Sequence, residues 1–294
     1  LEISGSLCAL ATPFLLDGSL DLGAFARLID YQLEGGTQGL VVAGSTGEAH
    51  MLDEHEYERL LAFAMERVKG RVPVIAGTGE AATSKTIALT RRAHALGADA
   101  ALVVTPFYVR PTQEGLYRHF MEVAEHGRLP ILLYNVPSRT GCDLLPETVA
   151  DLREDPRVLG IKEARGDIGR IRDVAQLIRP GFVFLSGDDA TADEAMLAGA
   201  AGLISVANNL APAAFRALTD TARSGDSPKT MALMETLRPL IEALNCAPNP
   251  IAVKAGLAEL GLCRATPRLP LLELAEGEGR ARLREVLSPY AHAA

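Results

Sequence analysis

The stretch VLGIKEA (158–164) decides how this chain is built. Its first four residues are apolar or glycine, without the apolar–polar alternation of a strand that has one wet face. A continuous run of this kind suits a parallel strand covered on both sides. It then ends abruptly in Lys162 and Glu163. The same form recurs at LCALAT (7–12), GLVVAG (39–44), VPVIAG (72–77), AALVVT (100–105), PILLYNV (130–136), FVFLSG (182–187) and GLISVA (202–207). The runs are spaced about 20–33 residues apart, the length of one strand plus one helix. Helical patterns fill the gaps. Leu52 to Lys69 has Asp53 near its start and Gly70 just after its end, Thr83 to Leu96 stops at Gly97, and Gln113 to His126 stops at Gly127. Eight such units predict an α/β fold, a (β/α)8 TIM barrel, with a doubly wound sheet as the alternative.

After Leu210 no strand-like run follows. Leu233, Leu237, Leu240, Ile241 and Leu244 fall at helical spacing, a stripe that reads as packing. NCAPNP (245–250) interrupts the pattern and a helix resumes in IAVKAGLAELG. Residues 1–225 therefore read as the catalytic barrel and 226–294 as a C-terminal helical appendage.

Composition narrows the function classes. The 294 residues are 48% hydrophobic and 22% charged, as in an ordinary soluble globular protein. A net charge of −8 with no basic stripe argues against nucleic acid as a partner. The apolar runs are far shorter than the roughly 20 residues of a membrane span. No charged segment followed by an apolar one opens the sequence, so no signal peptide is expected and a cytoplasmic location is. Cys8, Cys142, Cys246 and Cys263 are scattered and read as buried free thiols in a reducing compartment. The histidines show no ligand spacing, so no metal is expected.

Chemistry in such a barrel lies where strands run into the following loops. Thr12, Ser45, Thr46, Tyr108, Tyr134, Arg139, Lys162, Asp188 and Asp189 all fall just past an apolar run. Of the five lysines, only Lys162 ends a strand; Lys69, Lys85, Lys229 and Lys254 fall on helices or loops. A lysine in a low-dielectric mouth favours its neutral form. A neutral amine attacks carbonyl carbon and forms an imine. Pairing of Lys162 with Glu163 at the rim is the plainer alternative. Tyr134, at the matching tip one strand earlier, is expected to face Lys162 across the mouth. It reads either as a core aromatic or as a phenol that shuttles protons during addition and dehydration. Gly77-Thr78-Gly79-Glu80-Ala81-Ala82 fits GxGxxA between strand and helix, but no second nucleotide-binding half follows, so no dinucleotide cofactor is expected.

The segment YNVPSRTGCDLLPE (134–147) resembles the dihydrodipicolinate synthase family, as do GSTGE (44–48), VTPFYVRPTQEGLYRHF (104–120), GIKEA (160–164), LSGDDA (185–190), GLISVANN (202–209) and PNPIAVK (248–254). The resemblance spans essentially the whole chain. It implies condensation of pyruvate with aspartate 4-semialdehyde on the way to diaminopimelate and lysine. It also implies no cofactor, and a homotetramer built from two tight dimers. Lys162 matches the Schiff-base lysine, and Tyr134 the general acid/base. Tyr108 matches the phenol that reaches across the dimer, and Ser45 the hydroxyl linking the two phenols. Thr46 matches a group holding the pyruvate carboxylate, and Arg139 the arginine for the semialdehyde carboxylate. Gly187 and Ile204 match residues lining the pyruvate pocket.

Two departures stand out. The synthases usually carry threonine where Ser45 stands, and serine is the form common in N-acetylneuraminate lyases. Such a lyase, or a keto-deoxy-sugar aldolase, is the nearest rival; a non-catalytic sensor of pyruvate-like ligands is the rival of another class. Positions that bind inhibitory lysine in feedback-regulated members read here as Ala81, Lys85, Glu54, Tyr57 and Phe107. A cationic Lys85 repels a lysine ligand, so weak or absent lysine inhibition is expected.

Overall fold

The computed structural model describes residues 1–290. Eight strands follow in chain order: β1 (Gly5–Ala9), β2 (Gly39–Val42), β3 (Val74–Gly77), β4 (Ala100–Val104), β5 (Ile131–Asn135), β6 (Val158–Glu163), β7 (Val183–Ser186) and β8 (Gly202–Ser205). Each pairs in parallel with the next and β8 closes on β1, so the sheet is a complete (β/α)8 barrel. Closure explains the unbroken apolar runs. Leu7, Val41, Ile75, Leu132, Leu185 and Ile204 pack inside the barrel. Their chain neighbours Cys8, Leu40, Val42, Val74, Leu133 and Phe184 pack outward against the helices. Both faces of every strand are dry, so no polar alternation survives.

The expected helices form as Glu54–Val68, Thr83–Ala95 and Gln113–His126. The first has a capping box: Asp53 Oδ1 accepts from Glu56 N at 2.8 Å and Glu56 Oε2 accepts from Asp53 N at 3.0 Å. The first apolar run is shifted. LCALAT belongs to the sheet only as far as Ala9, and the strand starts earlier, at Gly5. The Asn209 side chain takes over the next backbone groups, binding Ala11 N at 3.1 Å and Ala9 O at 2.8 Å. Thr12 instead donates to Gly47 O at 2.7 Å.

Beyond β8 the chain is helical: Pro212–Arg223, Ser227–Ala243, Ile251–Glu259 and Glu278–Leu287. The predicted stripe is buried at Leu237, Leu240 and Ile241, with Leu233 and Leu244 packed at its edge. The thiols depart from expectation. All four are free, but only Cys8 is buried; Cys142 and Cys263 are half-buried and Cys246 is exposed on the loop into the third of those helices. No described helix is long and apolar enough to cross a membrane.

Candidate active site

The barrel mouth is built around the β5–β6 pair. Tyr134 and Lys162 are register partners on these adjacent strands, so they stand side by side rather than across the mouth. The register shifts between Ile131 and Leu132, which pair with Val158 and Gly160. That bulge sets which residues of β6 face inward. Lys162 is 4% exposed, and its Nζ lies 4.2 Å from the centroid of the Tyr134 ring. Glu163, the next residue, points to the other side of the sheet. There its carboxylate accepts from Asn135 Nδ2 at 3.0 Å, Arg165 N at 2.9 Å and Arg170 Nη1 at 3.3 Å. The pair expected as the plain alternative for Lys162 therefore does not form. Among the described residues no carboxylate comes within salt-bridge reach of Lys162. Burial pushes the Glu163 carboxyl above its ordinary value, against the pull of Asn135 and Arg170.

Gly187 follows β7 beside the lysine stem. A Cβ there would stand 2.9 Å from both Cγ and Cε of Lys162, so glycine leaves the channel the stem occupies. Ile204 is buried inside the barrel in the same cluster as Tyr134. Ser45 is half-buried and shares a small cavity of about 30 Å³ with Tyr134. Thr46 is buried, and its hydroxyl accepts from Asn249 Nδ2 at 3.0 Å. Arg139 sits on the single helical turn Pro137–Thr140 that follows β5. Its Nη2 donates to Asn249 O at 3.1 Å, and it borders cavities of about 590 and 320 Å³ that meet at the rim. Asp189, after β7, accepts from Val206 N at 3.1 Å and Ala207 N at 2.8 Å. Burial raises its carboxyl, and the Ser205 hydroxyl, the Ala207 amide and Lys162 oppose that.

Tyr108 is the exception among the expected site residues. It is 90% exposed, with φ +71°, and its N–H donates to Thr140 O at 3.1 Å. The loop thus holds the phenol out in solvent, away from its own chain's lysine. The glycines of GTG serve the wall. A Cβ at Gly77 would meet Ala43 O at 2.0 Å, and one at Gly79 would meet Val104 N at 2.5 Å. These glycines permit strand-to-strand contact, which accounts for the GxGxxA pattern without a nucleotide.

Two residues escaped the sequence reading. Lys254 is fully buried and its Nζ lies 2.5 Å from Glu48 Oε1. Glu48 Oε2 accepts from Arg268 N at 2.9 Å, so the β2 loop is bound to the helical tail by a dry ion pair. The signal was present in IAVKAGLAE: a helix apolar on every side is a buried helix, and its lysine goes in with it. Asn249 was likewise passed over inside NCAPNP.

The sequence around this lysine–tyrosine pair matches the model of the dihydrodipicolinate synthetase family, which covers residues 2–289. The chain belongs to that family. Within the dihydrodipicolinate synthetases, a 4-hydroxy-tetrahydrodipicolinate synthase from Xanthomonas axonopodis pv. citri (strain 306) is 57% identical over 274 residues, covering 93% of this chain and 90% of the relative. The synthase of Acinetobacter baumannii, solved as a chloride-inhibited enzyme complexed with pyruvate, superimposes with a TM-score of 0.96 at 42% identity over the full length of both chains. A synthase described as the first monomeric variant gives a TM-score of 0.96 at 42% identity, over 99% of this chain and 98% of that one.

Proposed function

We propose that the chain is a 4-hydroxy-tetrahydrodipicolinate synthase, condensing pyruvate with L-aspartate 4-semialdehyde through a Schiff base on Lys162. The observation that carries this reading is the buried Lys162 amine, in salt-bridge contact with no carboxylate among the described residues and stacked on Tyr134 in a chain of this family. The Lys162 amine adds to the pyruvate ketone carbon, and Tyr134 supplies the proton with which the carbinolamine oxygen leaves as water. Loss of a methyl proton from the iminium gives an enamine. Its terminal carbon attacks the aldehyde, whose oxygen takes up a proton. The semialdehyde's own amine then adds to the iminium carbon and Lys162 departs, closing the ring.

Thr46 holds the pyruvate carboxylate beside Gly187 and Ile204. Arg139, a planar fork at the rim, receives the carboxylate of the semialdehyde. Ser45 relays protons between Tyr134 and the Tyr108 of a second copy. That last role is supported by the exposed Tyr108 and by the mainly apolar cavity of about 320 Å³ beside Ser45, Val104 and Phe107, which has room for a phenol ring. A tight dimer is the working unit and two dimers make the tetramer. A relative singled out as a monomeric variant favours association as the ordinary state of the family. The catalytic barrel is residues 1–225, the appendage 226–294, and the enzyme works in the cytoplasm. Lysine inhibits it weakly or not at all. Tyr57, at one of the effector positions, is buried with its hydroxyl donating to Gly77 O at 3.1 Å, while Lys85 is exposed.

The test is a coupled assay offering aspartate semialdehyde with pyruvate, against N-acetylneuraminate alone. Turnover only with the first pair is expected. Cleavage of N-acetylneuraminate without condensation would move the chain to the lyase branch, the reading that Ser45 favours.

A further inference from the structure

Asn249 lies in the loop that joins the helices Ser227–Ala243 and Ile251–Glu259, outside the barrel. It nevertheless touches two residues of the mouth. Its side chain donates to Thr46 Oγ1 at 3.0 Å, and its backbone carbonyl accepts from Arg139 Nη2 at 3.1 Å. A hydroxyl has one proton and two lone pairs. Buried Thr12 and Thr90 give their protons to backbone carbonyls, Gly47 O at 2.7 Å and Thr86 O at 2.7 Å. Thr46 is equally buried, but among the described residues nothing accepts its proton. The amide donor occupies one lone pair of the hydroxyl and leaves its proton for something that is not protein.

The other half of the same amide is unsatisfied. Asn249 Oδ1 is buried without a hydrogen-bond partner among the described residues. An orphaned buried acceptor is costly, and a polar side chain retained under that cost is a functional indication. An apolar residue would remove the orphan but also the donor to Thr46.

We propose that Asn249 is a positioning residue: its amide fixes the Thr46 hydroxyl as a donor toward the carboxylate of the keto-acid substrate. The proposal rests on the synthase reading of the mouth. It divides the residue in two. The side chain serves the keto acid through Thr46, and the backbone carbonyl steadies Arg139 and the second substrate. The helical tail thus takes part in substrate binding.

The experiment measures two half-saturating concentrations. Borohydride trapping titrates pyruvate onto the enzyme, and steady-state condensation titrates aspartate semialdehyde. Asn249→Ala is expected to raise the pyruvate value about 5- to 10-fold, the loss of one net hydrogen bond. It is expected to leave the semialdehyde value within about twofold, because the carbonyl to Arg139 remains. Asn249→Asp, nearly the same shape, accepts the Thr46 proton instead of freeing it and raises the pyruvate value at least as much. In a Thr46→Val background, Asn249→Ala adds nothing further for pyruvate.

Equal rises for both substrates would mean a loop that merely holds shape, and would overturn the proposal. So would an unchanged pyruvate value, or full additivity with Thr46→Val. The parent protein's adduct at saturating pyruvate tests the reaction itself, whereas the shift between parent and variant tests the Thr46–Asn249 couple. Absence of any adduct from the parent overturns both.

Discussion

Replacing Glu48 with alanine isolates Lys254 in the dry seam between barrel and tail. Both side chains are essentially without solvent exposure and the pair closes at 2.5 Å. After the substitution Nζ keeps the Phe14 ring, 4.3 Å from its centroid, over which the cationic Arg268 also sits. Breaking a buried pair from one side costs about 3–5 kcal/mol, because a charge is left without compensation. The Arg268 N–H also loses its acceptor, which adds about 1 kcal/mol. A destabilisation of about 4–6 kcal/mol is therefore expected for Glu48→Ala. The pH dependence has a definite sign. Burial already holds Lys254 below the ordinary lysine value, with Glu48 opposing that shift. Without Glu48 the folded state binds this proton still less readily than the unfolded chain does. Stability of the variant then rises with pH, and the penalty fades toward the ordinary lysine value of about 10.4. Glu48→Ala with Lys254→Met removes both charges and recovers most of the loss. Urea unfolding at fixed protein concentration, at neutral and alkaline pH, reads all three effects. A single variant within about 1 kcal/mol of the parent would refute the reasoning, as would a double variant no more stable than the single.

Other perturbations follow from the same geometry. Gly187→Ala places a methyl 2.9 Å from Cγ and Cε of Lys162; the protein folds, but the stem shifts and condensation falls at least tenfold, an offset of about 1.4 kcal/mol, in steady-state assays. His119 is 4% exposed and burial lowers it from 6.5 to about 4. Its neutral form is favoured in the fold, so its contribution is complete above about pH 6.5 and fades as pH falls toward 4, a loss of about 3 kcal/mol that His119→Leu abolishes in unfolding measured against pH. Saturating lysine leaves condensation near its uninhibited rate; half-inhibition at low millimolar lysine would contradict the reading of Ala81, Lys85, Glu54, Tyr57 and Phe107. Full activity in a species that sediments as a monomer would remove Tyr108 from the mechanism.

The barrel was legible because its strands are dry on both faces, and that condition writes itself as eight unbroken apolar runs. Strand ends were less legible: LCALAT loses its last residues from the sheet to the Asn209 side chain, a contact from about two hundred positions along the chain. Lys162 could be found because a cation at the tip of an apolar run is out of place. Its relation to Tyr134 could not, since a bulge in β6 sets their register and no local pattern announces it. Lys254 and Asn249 were missed for another reason. Each takes its meaning from a partner some two hundred positions away, Glu48 in one case and Thr46 in the other. Tyr108 is a further kind of case. Its own chain leaves it in solvent, so the proposed role across a dimer finds no counterpart within one chain.

The central claim is that one buried amine is the nucleophile. Borohydride reduction in the presence of pyruvate, followed by peptide mapping, tests it most directly. The account predicts one reduced pyruvyl group per chain, carried by Lys162, and no condensation by Lys162→Ala. An adduct on another lysine, no adduct at saturating pyruvate, or parent-rate condensation by Lys162→Ala would contradict it.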